Sequence, residues 1–482
     1  LVPFLDGAPR IRKPPLLYWI GRLSYETFGI SLVSARFVAV LFAGLLVMST
    51  AAIARRLSGR PETGLVAGAV LLGCLGLATE GRRFMLDIPV AALSTTAFAC
   101  LLLWMDLGKK WALTATTVLL AAAFLTKGPI AALVCGGGVL AVLASGRWHW
   151  REAWRQWLPL LAHALLFALL ALPWFFLVRH LYPEAAQLVF ADEIESRQLL
   201  SFSPGILLGL LNIALPWVIV FALAAWRARR GDLPARTALL WFLATFLPFA
   251  FLRSFDRYLI GSLVPLAILV ALALPTLRVR WPFRSGLILA LLLGAAVAGL
   301  AFCFHLGGWY WALLPAIYFC WAWWQPRATV HLLAAPAIYW TALLAGVFPA
   351  LGVNALPESV QALGKTREIA LFDGPQPAML PIASQRALRH YGQFDRYDLA
   401  ELQALNALIF LEERDLPRLQ QAAAAAGLQL REAGRYSTLA SHGSGLRFAR
   451  VGATADDWRR ALATRDLAPL KTSVLWFELE PQ

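Results

Sequence analysis

Five stretches of this 482-residue chain combine residue types that could hold or activate an anionic substrate. Arg10-Ile11-Arg12-Lys13-Pro14-Pro15-Leu16-Leu17-Tyr18-Trp19 presents an ammonium beside two prolines that fix φ and remove two backbone donors, so Lys13 is held in place rather than left mobile. Thr126-Lys127-Gly128-Pro129 puts a second amine at a tight break between two apolar runs, where glycine lets a ligand approach closely. Asp87, in Arg82-Arg83-Phe84-Met85-Leu86-Asp87-Ile88-Pro89, is the matching anion. Its alternative role is plain: a helix-start carboxylate next to a proline can simply cap the helix. Arg197 lies in an acidic connection with Glu184, Asp192, Glu193 and Glu195, and Arg253-Ser254-Phe255-Asp256-Arg257-Tyr258 offers guanidiniums and a phenol, a set suited to phosphate. For Lys13 the alternative is a juxtamembrane anchor, and for Arg82 and Arg83 a side chain snorkelling to water.

The elements that must position these groups are membrane helices. The chain is 59% hydrophobic and only 15% charged, with mean hydropathy +0.64, which is the composition of a polytopic membrane protein. The net charge of +15 comes from basic residues in short clusters between apolar runs, so it points to topology and lipid and excludes nucleic acid as a partner. The five cysteines all fall in apolar stretches without paired spacing, indicating neither a disulfide framework nor a zinc site.

Twelve spans are expected: 31–57, 64–78, 88–107, 111–125, 130–145, 157–181, 204–226, 235–252, 258–277, 286–305, 309–324 and 328–351, the shorter ones tilted little. Alternate connections carry most of the arginines: Arg55, Arg56 and Arg60; Arg147, Arg151 and Arg155; Arg227, Arg229, Arg230 and Arg236; Arg278, Arg280 and Arg284. The positive-inside rule makes these cytoplasmic. Arg82, Arg83, Lys127, Arg197, Arg253 and Arg257 then face outward, against the rule, and a cation kept there is a functional candidate. The connection 182–203 is the longest within the membrane region. Residues 1–30 read as an outer-face loop followed by an amphipathic helix over Leu16 to Phe28, 31–351 as the membrane domain, and 352–482 as an outer-face domain.

The last segment has soluble composition. Strands are expected at 369–372, 407–411 and 474–479, with helices at 416–426 and 455–462, which makes a small α/β domain. His390 and His442 lie far apart without metal-ligand spacing.

Taken together, Val2-Pro3, Asp6-Gly7, Lys13-Pro14-Pro15-Leu16-Leu17-Tyr18-Trp19, Ser34-Ala35-Arg36, Asp87-Ile88-Pro89, Thr126-Lys127-Gly128-Pro129, Arg197 and Arg257-Tyr258 to Pro265 resemble, in order, the polyprenyl-phosphate-sugar glycosyltransferases of the GT-C membrane fold. These are the aminoarabinose (lipid A) transferases and their protein-mannosyltransferase relatives, and the resemblance covers about the first 270 residues well. It implies an all-α polytopic membrane domain of thirteen helices, twelve of them here, with an outward C-terminal domain, in a bacterial inner membrane. It also implies transfer of a sugar from a polyprenyl-phosphate donor to a lipid, glycan or protein acceptor at the outer face. By position, Lys13, Arg197 and Tyr258 would contact the lipid phosphate, with Arg257 as a neighbouring candidate and Asp87 and Lys127 lining the same catalytic cavity. The family's main catalytic Asp is expected upstream of Leu1; within residues 1–30 only Asp6, in a turn, and Glu26 are carboxylates. The family's acidic residue before the KPP lysine is Arg12 here, and the 184–197 stretch has no His, so a divalent metal, possible in the family, has no support in the sequence.

Two other classes fit parts of the pattern. A transporter or lipid-linked-sugar flippase would also use many helices and outward cations, but the halves show no internal repeat and the spans hold few charges. A non-catalytic scaffold would leave the outward Lys and Arg residues unexplained.

Overall fold

The computed structural model describes all residues except 1, 6–7, 196–203, 253, 277–279, 326–327, 375, 395, 442–447 and 482. Arg197, Arg253 and Asp6 therefore lie outside the described residues. The chain divides into two compact units, one made of Leu1–Gly29, Val33–Leu292 and Pro315–Trp340, the other of Ile30–Leu32, Leu293–Leu314 and Thr341–Gln482.

The first unit is helical because apolar residues in lipid leave the backbone no partner but itself. Several hydroxyls within its helices turn back onto the helix backbone: Thr50 Oγ1 donates to the Leu46 carbonyl at 2.7 Å and Thr126 Oγ1 to the Ala122 carbonyl at 2.9 Å. The helix Leu16–Phe28 starts directly after Pro15, as the paired prolines predict, and Gly29 at φ 79° ends it. It packs down at Gly21, where an added Cβ would stand 2.6 Å from the Phe84 ring, so only glycine allows that approach. Ser24 Oγ donates to the Ser34 carbonyl at 2.7 Å, tying this helix to the next, Leu32–Ser58.

Of the twelve spans expected, the described residues hold seven helical stretches long and apolar enough to cross a bilayer, or eight if one bent pair counts as a span, and one of them, Lys110–Ala144, holds both of the expected spans 111–125 and 130–145. The difference has local causes. A hydropathy run records apolar residues, not whether the backbone stays helical through them. The 64–78 run is a 12-residue helix, Pro61–Leu72, and a short one, Leu75–Glu80, separated at Gly73 and Cys74. The 204–226 run becomes Gly205–Ile213 and Val218–Ala228, turned by 107° around a segment containing Pro216, which has no N–H to continue the ladder. In the 309–324 run only Leu313–Trp323 is α-helical. The connection 182–203 is also not a loop throughout: Pro183–Glu195 is a helix, with proline at its first turn and good helix formers behind it.

Three helices build the heart of this unit. Asp87–Leu107, 21 residues or about 30 Å long, runs antiparallel to Lys110–Lys127. Gly128 at φ 74° then turns the chain back into Ala131–Ala144, which runs alongside Asp87–Leu107: Ser94 Oγ donates to the Ala131 carbonyl at 2.7 Å, and the Trp104 and Trp148 rings meet at 5.8 Å. Lys127 thus sits at the turn of a hairpin, at the same end as Asp87.

The second unit carries a five-stranded sheet in the order Arg389–Tyr391, Ile369–Phe372, Leu408–Glu412, Thr472–Pro481, Leu428–Thr438. The first three strands are parallel and the last two antiparallel to their neighbours. The predicted strands and helices are present, the helices as Leu416–Ala425 and Ala455–Thr464. The edge strands Arg389–Tyr391 and Leu428–Thr438 were not predicted, because they are half exposed and carry charged residues instead of a clean apolar alternation. At Gly434, beside a β-bulge, an added Cβ would stand 2.2 Å from the Trp476 indole, so the tryptophan takes the space a side chain would need.

Candidate functional site

The site is assembled where the first turn of Asp87–Leu107, the Lys127–Gly128 hairpin turn and the segment Asp256–Leu259 come together. Asp87 is 4% exposed, and one of its carboxylate oxygens accepts from Lys127 Nζ. The other faces Arg257 Nε at 3.5 Å. Lys127 Nζ also lies 3.7 Å from the centroid of the Tyr258 ring, a cation–π contact, while the Arg257 guanidinium covers the Phe255 ring at 4.5 Å. One buried carboxylate therefore orients two cations, and an aromatic floor completes their surroundings.

The helix geometry explains the convergence. Asp87 is the first residue of its helix, and its neighbour Pro89 is tolerated there because first-turn N–H groups have no intrahelical partner. The N-cap position falls on Leu86, and the Asp87 carboxylate is turned to Lys127 and Arg257. The simple capping role open in the sequence is thus replaced by ion pairing. Lys127 is the last helical residue before Gly128, so the turn presents the amine sideways instead of along the helix.

Lys13 is brought to the same place. Ile11 packs into a cluster with Trp174 and Val178, Leu16 packs with Val90, Leu93, Ala123 and Ala131, and Pro14 and Pro15 are buried between them. That clamps the intervening Lys13 half-buried, close enough to act electrostatically on Lys127. Asp87 contacts Lys127 and Arg257, Lys127 contacts the Tyr258 ring, and Lys13 is their neighbour. Arg197 falls outside the described residues.

One participant was missed. Glu80 ends the short helix Leu75–Glu80, its side chain 12% exposed, and its Oε1 accepts from Arg83 Nη1 at 3.0 Å. It lies within electrostatic reach of Asp87 and Arg257. Burial pushes its carboxyl above the usual carboxylate range, offset by Arg83. The available signal was a carboxylate at the end of an apolar run beside the Arg82-Arg83 pair. Arg82 in turn feels the guanidiniums of Arg36 and Arg83, so this end of the bundle concentrates positive charge.

Beneath Asp87 and Lys127 lies a cavity of about 20 Å³, also lined by Thr245, Tyr258 and Ser262. It has room for about one water. Ser262 Oγ has no partner among the described residues. Gly261 makes the close packing possible, since a Cβ there would meet Val134 at 2.5 Å. Among the described residues no three His, Cys, Asp or Glu side chains gather as a metal ion requires, and Asp87 is already engaged by two cations. What the arrangement can do chemically is hold a phosphate: preset cations of fixed direction around a water-poor centre.

Residues 2–189 match the family model of the dolichyl-phosphate-mannose-protein mannosyltransferases. The crystal structure of ArnT from Cupriavidus metallidurans bound to undecaprenyl phosphate superposes with a TM-score of 0.68 at 21% identity, over 98% of this chain and 90% of that one. The chain has the fold of the GT-C glycosyltransferases. Within that fold the matched family segment contains Lys13, Asp87 and Lys127, whereas Arg257 and Tyr258 lie beyond it. Two uncharacterised proteins of Aquifex aeolicus are also similar in sequence. One is 25% identical over 281 residues, 56% of this chain and 54% of its own length; the other is 30% identical over 180 residues, 37% and 38%. The chain thus spans about half the length of the first of these relatives.

Proposed function

We propose that this multi-pass membrane protein is a glycosyltransferase that moves a sugar from a polyprenyl-phosphate donor to a hydroxyl-bearing lipid, glycan or protein acceptor at the outer face of a bacterial inner membrane. The observation that carries the reading is the convergence of Lys127, Arg257 and Tyr258 on the buried Asp87, with Lys13 adjacent, in a GT-C fold. The bound undecaprenyl phosphate of the similar ArnT structure supports a polyprenyl phosphate as the donor's lipid part.

In the reaction, an acceptor oxygen forms a bond to the anomeric carbon while the bond from that carbon to the phosphate oxygen breaks. The electron pair of the broken bond stays on the phosphate. Its negative charge rises as the bond lengthens, so cations aimed at it stabilise the transition state more than the bound donor. Lys13, Arg257 and Tyr258 are the proposed phosphate contacts. Asp87 positions Lys127 and Arg257, whose approach to a phosphate would otherwise cost the ordering of two long side chains. A base must take the acceptor proton.

The test uses the full-length protein in membranes with radiolabelled polyprenyl-phosphate sugars, following both donor consumption and labelled acceptor. Lys13→Ala is expected to lower transfer on the order of 100-fold, the usual cost of one transition-state donor. Wild-type protein that consumes no donor across several sugars, yet moves labelled lipid between leaflets, would make it a flippase instead.

A further inference from the structure

A second cavity, with polar groups in a largely apolar wall, lies at the other end of the membrane unit. About 300 Å³ in volume, it is lined by Ser58, Arg60, Thr63, Arg227 and Thr276, with Leu272 among its apolar wall residues. Its place follows from the helices that meet there: the last residue of Leu32–Ser58, the first turn of Pro61–Leu72, the last turn of Val218–Ala228 and the end of Ile260–Ala273. Those ends lie with Asp106 and Arg147, about 30 Å along the Asp87–Leu107 helix from the Asp87 site.

The cations of this cavity are held by hydrogen bonds within its wall. Arg227 Nη1 donates to Thr276 Oγ1 at 3.2 Å, which fixes its guanidinium at the cavity wall. Ser58 Oγ accepts from the backbone N–H of Arg60 at 3.2 Å, holding the turn that presents Arg60. No side chain caps the first turn of Pro61–Leu72, so its free N–H groups and the Thr63 hydroxyl add donors. The carboxylate in the lining, Asp232, accepts from Ala235 N at 3.2 Å as the cap of Leu233–Ala250. Among the described residues neither Arg60 nor Arg227 has a carboxylate in ion-pair contact. Two guanidiniums and a helix start thus face a cavity of ligand size, against one carboxylate in the lining, the capping Asp232.

We propose that this cavity binds the phosphate of an anionic phospholipid head group, separate from the Asp87 site. The shared chemistry is a phosphate, and the lipid is favoured over a soluble phosphate by the rest of the wall. Leu269, Ala271 and Leu272 give an apolar side against which a glycerol and the start of an acyl chain can lie. Trp226, 62% exposed and next to Arg227, is the kind of residue that sits at head-group level.

The test compares retention of spin-labelled phosphatidylglycerol and phosphatidylcholine by the full-length protein in mixed vesicles. Wild type is expected to favour phosphatidylglycerol, and Arg60→Gln with Arg227→Gln to reduce that preference about tenfold. Arg229→Gln with Arg230→Gln removes the same charge from exposed positions outside the cavity lining and is expected to change it little. Arg60→Lys with Arg227→Lys keeps the charge and is expected to keep most of the preference, which carries the test if the glutamine pair does not fold. An equal fall in the Arg229/Arg230 variant, or no fall in the cavity variants, overturns the site. Displacement of the labelled lipid by millimolar inorganic phosphate alone overturns the lipid assignment.

Discussion

The two ends of the helix Asp87–Leu107 carry the same kind of charge set in opposite surroundings. At one end Asp87 meets Lys127 and Arg257; at the other Asp106 meets Arg56 at 3.2 Å and Arg147 at 3.2 Å. The side chains at the Asp106 end are 19–28% exposed, so water screens them and their ion pairs clamp three helix ends at little net energy. At the Asp87 end the aspartate and lysine are 4% and 5% exposed. Desolvation there cancels much of the attraction, and such a set is poorly explained as a stabilising device. The contrast separates a topological fastening from a buried set for which we propose a ligand-holding role, although each is one carboxylate between two cations.

The largest break in that comparison is expected from Lys127→Ala. Transfer should fall on the order of 100-fold or more, and the Asp87 carboxylate left buried should cost about 3–5 kcal/mol of stability. Paired replacement, Asp87→Asn with Lys127→Met, should return much of the thermal stability without the activity; recovery of transfer in this double variant would show that the pair is only structural. Gly261→Ala comes next, since the Val134 clash should cost about 1–3 kcal/mol and narrow the cavity under the site, readable as a lowered unfolding temperature. Tyr258→Phe should keep the cation–π contact with Lys127, so any loss of transfer measures the hydroxyl alone, while Tyr258→Ala adds the loss of the ring. The smallest effect is expected from Asp106→Asn: under about 1 kcal/mol in stability and no measurable change in transfer. A large activity loss there would erase the distinction between the two ends.

The second unit offers a pH test that leaves the membrane site untouched. Asp457 closes a capping box with Thr454, and hydrogen bonds from Thr454 hold its carboxyl down at about 2, with Arg450 adding to the effect. A carboxyl depressed on folding contributes stability that is complete above its ordinary value of about 4 and is lost as pH falls toward about 2. Thermal unfolding of the wild type should therefore lose this contribution across that window, and Asp457→Asn should remove the loss.

Much of this could be read from residues alone because lipid leaves few options. A chain this apolar must be helical where it crosses a bilayer, and cations kept against the charge bias of the connections drew attention to Lys127 and Arg257. The helix after Pro15 was equally legible, since proline fixes φ and cannot continue a helix from within. The span count was not, because Gly73 and the segment around Pro216 interrupt helices inside runs whose hydropathy never falls. Glu80 was passed over because nothing local distinguishes a carboxylate solvated at a helix end from one buried against Arg83.

The sequence by itself determined the class of the protein, the clustering of its basic residues between apolar runs and the cations proposed to hold a phosphate, since these follow from side-chain chemistry and its solubility in lipid. Only the tertiary structure decided that Asp87 pairs with Lys127, 40 positions away, and with Arg257, instead of capping its own helix. Contacts of that range depend on how the helices pack, and packing is set jointly by small residues such as Gly21 and Gly261 and the large ones they admit, a property of pairs that no single stretch of chain contains.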